Sequence, residues 1–284
     1  MRTGPAGHMA RSAVRPNSET ARHGPLRTFL TTADGVRIDA AYDPGSVVYD
    51  TGRPPSGHLE DLAIVVAHGF TGDLDRPHVR RVAGALVRYG AVVTFSFRGH
   101  GASGGRSTVG DREVHDLAAA VAWARELGHT RVAAVGFSMG GSVVLRHAAR
   151  HQEGAHTDAV VAVSAPARWF YRGTAPMRRL HWLVTRPEGR LVGRYGLHTR
   201  IHGRGWDPVP ASPVESVPLI APTPLLIVHG DQDGYFPLDH PRMLADAAPG
   251  HAELWLEHGM GHAEHASDEE LLARIGAWAA SRAG

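Results

Sequence analysis

Short runs of apolar, mostly small or β-branched residues recur along this chain and alternate with longer stretches of helical character. The runs are Leu62 to Ala67, Ala91 to Phe97, Arg131 to Phe137, Asp158 to Ser164, Pro224 to His229 and Glu253 to Glu257. A strand with one face in water alternates apolar and polar residues, so a run without alternation must be covered on both faces. The helical stretches between them are Pro77 to Tyr89, Arg112 to Leu127, Met139 to His151, Leu238 to Ala247 and Asp268 to Ala280. Ser267 and Glu270, three apart, fit a capping box at the start of the last. This rhythm predicts a mostly parallel sheet with helices on both faces, and ligand sites beyond the carboxyl ends of its strands. Ahead of it, Leu26 to Thr32 and Val36 to Tyr42 alternate around Ala33-Asp34-Gly35 and predict an antiparallel hairpin, which makes eight strands.

One interval breaks the rhythm. Between Ser164 and Pro224 there is no clear strand, but there are six aromatics (Trp169, Phe170, Tyr171, Trp182, Tyr195, Trp206) and five prolines after residue 207. A loop of that length needs a structure or function of its own. We read residues 167–217 as a small helical lid inserted into a core of residues 25–166 and 218–284. Residues 1–24 mix Arg, Pro, Gly, Ser and His without periodicity and read as a disordered leader, and the Gly/Pro-rich stretch 43–60 reads as a surface loop.

Charge separates the same regions. All 30 basic residues are arginine, which excludes lysine-based catalysis, and the absence of cysteine excludes disulfides, cysteine nucleophiles and thiolate metal sites. Residues 168–204 carry nine Arg against one Glu, while the chain as a whole has a net charge of only +2. That balance gives no reason to expect a nucleic-acid partner. No apolar run approaches the roughly 20 residues of a membrane span, and the N-terminus lacks the charged start and apolar core of a signal peptide, so a cytoplasmic protein without an integral membrane segment is the expectation.

The chemistry starts at Gly136-Phe137-Ser138-Met139-Gly140-Gly141, between a predicted strand and a predicted helix. A corner that tight tolerates almost no side chain two residues either side of the serine, and it lifts the hydroxyl clear of the sheet. A serine nucleophile also needs a base, a carboxylate to orient that base, and donors for an oxyanion. Loops after other strands offer each. His68-Gly69-Phe70-Thr71-Gly72 can present the Phe70 N–H, and Met139 supplies a second. Gly230-Asp231-Gln232-Asp233-Gly234 carries carboxylates, and His258-Gly259-Met260-Gly261-His262 carries histidines. Asp231 competes with Asp233, and His258 and His265 with His262; the set His258, His262 and His265 also raises a metal site, against which the missing HExxH helix argues. His147 and His151 read as a helix face, and His68 and His100 as residues that orient loops around the oxyanion donors.

With these residues in place, the chain resembles the α/β-hydrolase superfamily over about residues 26–284. The resemblance implies Ser138 as nucleophile, Asp233 in His-Gly-x-x-Asp as the acid, His262 in Gly-x-Gly-His as the base, Phe70 and Met139 as the oxyanion pair, and neither cofactor nor metal. His-Gly-Phe-Thr-Gly and Phe97-Arg98-Gly99-His100-Gly101-Ala102-Ser103 are similar to the single-domain cinnamoyl and feruloyl esterases and the monoacylglycerol-lipase-like group. The implied activity is carboxylesterase- or lipase-like cleavage of a small-molecule ester through an acyl-enzyme. Amide, thioester and carbon–carbon cleavage, perhydrolysis, and a non-catalytic receptor on the same fold are the alternatives. In the insertion, Trp169 and Trp182, with Leu180, Leu183, Val184, Leu191 and Val192, are expected to line an acyl or aryl pocket. One or two of Arg168, Arg172, Arg178 and Arg179 are expected to point inward and hold an anionic substrate group, with a solvated outer face or contact of the cationic, aromatic insertion with an acidic membrane surface as the alternatives.

Overall fold

Successive residues of a strand point to opposite faces of its sheet, and here each face has its own helical layer. The computed structural model describes residues 25–45 and 61–284; the leader read over 1–24 and most of the loop read over 43–60 lie outside the described residues. The strands are β1 (Leu26–Thr31), β2 (Arg37–Asp43), β3 (Leu62–Ala67), β4 (Ala91–Phe95), β5 (Arg131–Phe137), β6 (Ala159–Val163), β7 (Leu225–Gly230) and β8 (Ala252–Glu257). They form one eight-stranded sheet in the order β1-β2-β4-β3-β5-β6-β7-β8. The pairs β1/β2 and β2/β4 are antiparallel and the rest parallel.

Every residue of β3, β4, β6 and β7 is buried, as the unbroken apolar runs require. The helices are α1 (Pro77–Leu86), α2 (Glu113–Glu126), α3 (Met139–Ala148), α4 (Ala175–Thr185), α5 (Pro187–Gly196), α6 (Pro213–Ser216), α7 (Asp239–Asp246), α8 (Ala263–Ala266) and α9 (Glu269–Arg282). Ala63, Val65 and Ala67 of β3 and Val132 and Ala134 of β5 join the core under α2 and α3. Their sequence neighbours Leu62, Ile64, Val66, Ala133 and Val135 join a second core under α1 and α9. Truncating a buried isoleucine or leucine here to alanine costs about 2–5 kcal/mol, through lost transfer energy and the cavity left behind. No helix among the described residues is long and apolar enough to cross a membrane.

The start of α9 differs from the sequence expectation. Its N-cap is Asp268, whose carboxylate accepts the Leu271 N–H at 2.8 Å. Ser267 is unavailable for that role because its hydroxyl donates to the Ala263 carbonyl at 3.0 Å, closing α8.

The break in rhythm is an excursion of α4, α5 and α6 between β6 and β7. Pro176 and Pro187 stand in the first turns of α4 and α5, where the missing N–H leaves no bond unmade. After α5 the chain returns to the body through two isolated bridges, His100 with Thr199 and Ser107 with Ile201. The loop after β4 that receives them is pinned by a buried Arg98, whose guanidinium donates to Asp116 at 2.8–2.9 Å and to Asp34 at 2.7–2.9 Å. These ion pairs hold the Arg98 pKa above its ordinary value despite the opposing effect of burial.

Candidate active site

Ser138 occupies the corner between β5 and α3 with φ 51° and ψ −112°, a conformation that costs a non-glycine residue about 1–3 kcal/mol. The surroundings enforce it. A Cβ on Gly136 would lie 2.3 Å from the Gly140 carbonyl oxygen, and one on Gly140 would lie 2.1 Å from the Ala67 carbonyl oxygen. The Ser138 N–H donates to the Val163 carbonyl at 2.8 Å, tying the corner to the neighbouring strand.

From this corner runs a continuous hydrogen-bonded chain. Ser138 Oγ lies 2.9 Å from His262 Nε2, and His262 Nδ1 lies 2.8 Å from Asp233 Oδ2. A neutral imidazole with its proton on Nδ1 satisfies both contacts, donating to the carboxylate and accepting from the serine hydroxyl. Tyr235 stacks on the His262 ring at 4.2 Å. The Asp233 side chain is fully buried, and its other oxygen accepts the Tyr235 and Phe236 N–H groups at 2.8 and 3.1 Å. Burial pushes that carboxyl up, but the hydrogen bond and charge of His262, with the Phe236 N–H and His229, outweigh it and hold the group below its ordinary value. Asp233 is therefore ionised at neutral pH. The rival Asp231 turns away, accepting from His258 at 2.8 Å and from the Gly259 N–H at 2.7 Å. His265 also points elsewhere, its ring packed at a tilt against His78 with centroids 3.9 Å apart, beside Glu264.

The loop after β3 leans on the same corner: a Cβ on Gly69 would lie 3.4 Å from Ser138 Cβ. Three of its amides are already bonded. Gly69 N–H donates to Glu264 Oε1 at 3.0 Å, Thr71 N–H to His100 Nε2 at 3.3 Å, and Gly72 N–H to the Gly69 carbonyl at 3.0 Å. The Phe70 N–H between them has no acceptor among the described residues, and neither has the Met139 N–H. Both histidines expected to orient this region do so with neutral rings. His68 donates from Nδ1 to the Gly69 carbonyl at 2.7 Å and accepts the Phe97 N–H on Nε2 at 3.0 Å. His100 donates from Nδ1 to the Arg98 carbonyl at 3.0 Å. Burial pushes them down to about 3 and about 4. Sequence reasoning missed Glu264, a buried carboxylate two residues after His262 that grips the opposite loop; among His262, His265, Ser267 and Asp268 it has no signal of its own.

Ser138, Phe70 and Met139 open onto a cavity of about 220 Å³ roofed by the insertion. Trp169 lines it, held by a hydrogen bond from its indole N–H to the Pro210 carbonyl at 2.9 Å and packed 5.0 Å from Trp206. Helical spacing divides α4: Met177, Leu180, His181, Val184 and Thr185 face the cavity, whereas Arg178, Arg179, Trp182 and Leu183 do not line it. Arg178 instead donates to the Arg172 and Gly173 carbonyls, Arg179 is exposed, and Trp182 is 47% exposed. Leu191 and Val192 of α5 are exposed as well. The cavity also takes Ile201, His202 and Arg204, brought in by the bridges after α5 and invisible to periodicity.

A family model described as alpha/beta hydrolase fold matches residues 63–189. Among solved structures, the esterase Pf2001 of Pyrococcus furiosus superposes with a TM-score of 0.68 at 24% identity, covering 92% of this chain and 93% of that one. The chain has the α/β-hydrolase fold. The α/β-hydrolase GrgF from Penicillium sp. sh18 has the same architecture, with a TM-score of 0.67 at 18% identity, covering 91% of this chain and 99% of that one. A curated relative, the putative esterase YheT of Escherichia coli (strain K12), is 34% identical over 129 residues, so the match spans only 39% of this chain and 38% of YheT.

Proposed function

We propose that the chain is a serine hydrolase that cleaves carboxylic esters of small molecules without a cofactor. The observation that carries this reading is the unbroken Ser138–His262–Asp233 chain at 2.9 and 2.8 Å. His262 takes the Ser138 proton as the oxygen attacks the ester carbonyl, and ionised Asp233 stabilises the imidazolium and fixes its tautomer. The Phe70 and Met139 N–H groups, both without acceptors, receive the oxyanion; one such donor is worth about 10²–10³ in kcat. The imidazolium then protonates the leaving alkoxide. Water, deprotonated by His262, hydrolyses the acyl-enzyme, and the proton returns to Ser138. Residues 167–217 serve as a lid that limits water around the ester. The preference for ester over amide rests on the names of similar proteins, Pf2001 and YheT among them.

A fluorophosphonate should label the native protein and leave Ser138→Ala unlabelled, while Ser138→Ala retains a cooperative melt. Hydrolysis of 4-nitrophenyl butyrate should fall at least about 10⁴-fold in the same variant. Equal labelling or turnover in the two proteins would overturn the reading.

A further inference from the structure

The charged residues that line the cavity over Ser138 are all of one sign. Among its lining residues are three arginines and two histidines, and no aspartate or glutamate. Arg168 is neutralised by Asp239 at 2.7 Å. The others, Arg172 and Arg204, donate to no acceptor through their guanidinium groups among the described residues. Arg178, Arg190 and Arg200 commit their donors to backbone carbonyls, and Arg179, Arg186 and Arg194, which also have no side-chain acceptor among the described residues, do not line the cavity; Arg172 and Arg204 combine a place on its wall with free donors. Arg172 precedes α4 and Arg204 follows the bridges after α5, so the two ends of the excursion bring to one cavity guanidinium groups that have no acceptor among the described residues.

The same cavity has a largely apolar wall that includes Trp169, Met177, Leu180, Val184, Ile201 and Trp206. Guanidinium groups with no opposing charge over a low-dielectric wall concentrate anions and present a planar fork that matches a carboxylate or phosphate. We infer that Arg172 and Arg204 form an anion-binding subsite, and that the ester cleaved at Ser138 carries a carboxylate or phosphate-like group at the far end of an apolar body. The inference rests on the reading of Ser138 as nucleophile for its position in a substrate, but the binding it claims does not require turnover. His181 lines the same cavity; burial and the nearby Arg172 charge push its pKa down, leaving the arginines as the fixed cations at neutral pH.

The probes are 4-nitrophenyl esters of adipic acid with the second carboxyl free or methylated, a third ending in a phosphonate, and, for the alcohol side, 4-acetoxybenzoate with its methyl ester. In at least one of the two series the native protein should favour the anion over its neutral partner in kcat/KM. Arg172→Gln and Arg204→Gln should each cut that ratio by about 5- to 10-fold, the range for a partly exposed charge-assisted contact, whereas Arg179→Gln leaves the ratio where it was. Comparing the carboxylate with the phosphonate identifies the preferred anion. Titration of Ser138→Ala with the nitrophenyl compounds, read by tryptophan quenching, should show tighter binding of the anion and loss of that preference when Arg172→Gln is added.

No anion preference in either series, or a preference unmoved by both arginine substitutions, overturns the subsite. Serine-dependent hydrolysis of neutral esters without anion preference removes the subsite and leaves the hydrolase. Anion-selective binding in Ser138→Ala with no turnover in the native protein removes the hydrolase and leaves the subsite.

Discussion

The floor of the site and its roof are built on opposite plans. In the floor, the strand ends and the loops after β3, β5 and β7 are over-determined: Gly136 and Gly140 touch backbone atoms, His68 and His100 have both ring nitrogens engaged, and Glu264 and Asp233 are buried against amide donors. In the roof, Phe170, Trp182, Leu191, Val192 and Tyr195 are exposed, and the guanidinium groups of two cavity arginines have no acceptor among the described residues. A floor of that kind fixes what reaction can occur, because moving any member moves several others. The roof leaves the choice of substrate to side chains that can change one at a time.

Glycine substitutions should break the comparison most sharply. Gly140→Ala places a methyl group 2.1 Å from a backbone oxygen and should cost upwards of about 4 kcal/mol, enough to lower the melting temperature by about 10 °C or to prevent folding. Gly203→Ala in the roof meets nothing within 4 Å and should stay within about 0.5 kcal/mol, so similar melting curves for the two would erase the distinction.

Acid should act next, and through the floor. His68 and His100 are pushed by burial to about 3 and about 4, while an unfolded histidine titrates near 6.5. Below about pH 6.5 the unfolded chain binds protons that the folded chain refuses. Each ring's full contribution is therefore present above that pH and declines on acidification, by up to about 1.4 kcal/mol per pH unit, until the folded value is reached. Urea unfolding between pH 7 and pH 5 should show this loss, with a smaller slope in His100→Asn; a flat profile would count against buried neutral rings. The smallest effect belongs to Trp182→Ala. With 47% of its surface in water and no place on the cavity, its removal should change stability by no more than about 0.5 kcal/mol and leave 4-nitrophenyl butyrate hydrolysis intact.

The same contrast governs how much was legible in the sequence. Strands β3 to β7 could be read because burial on both faces leaves no position for a polar residue to interrupt the run. Ser138, Asp233 and His262 were legible because each follows a strand end, and they do lie in one hydrogen-bonded chain. Asp268 was not, because Ser267 beside it offers an equivalent cap and only the turn of α8 decides between them. The roof was least legible. Its helices could be anticipated, but which face of α4 looks inward depends on how the excursion is folded back by the Thr199 and Ile201 bridges, and no local pattern encodes that. Hence of Arg168, Arg172, Arg178 and Arg179, all candidates for an inward charge, Arg168 and Arg172 stand at the cavity while Arg178 and Arg179 do not, and Arg204 was not foreseen.

The two amides without acceptors also make the molecule its own reporter. Phe70 and Met139 N–H groups, beside neighbours held in hydrogen bonds, should exchange with deuterated solvent faster than Gly69 or Thr71 while the site is empty, and slow when a carbonyl oxygen settles between them. Occupancy of the reaction centre could then be followed peptide by peptide in a mass spectrometer, with no chromogenic product and no turnover.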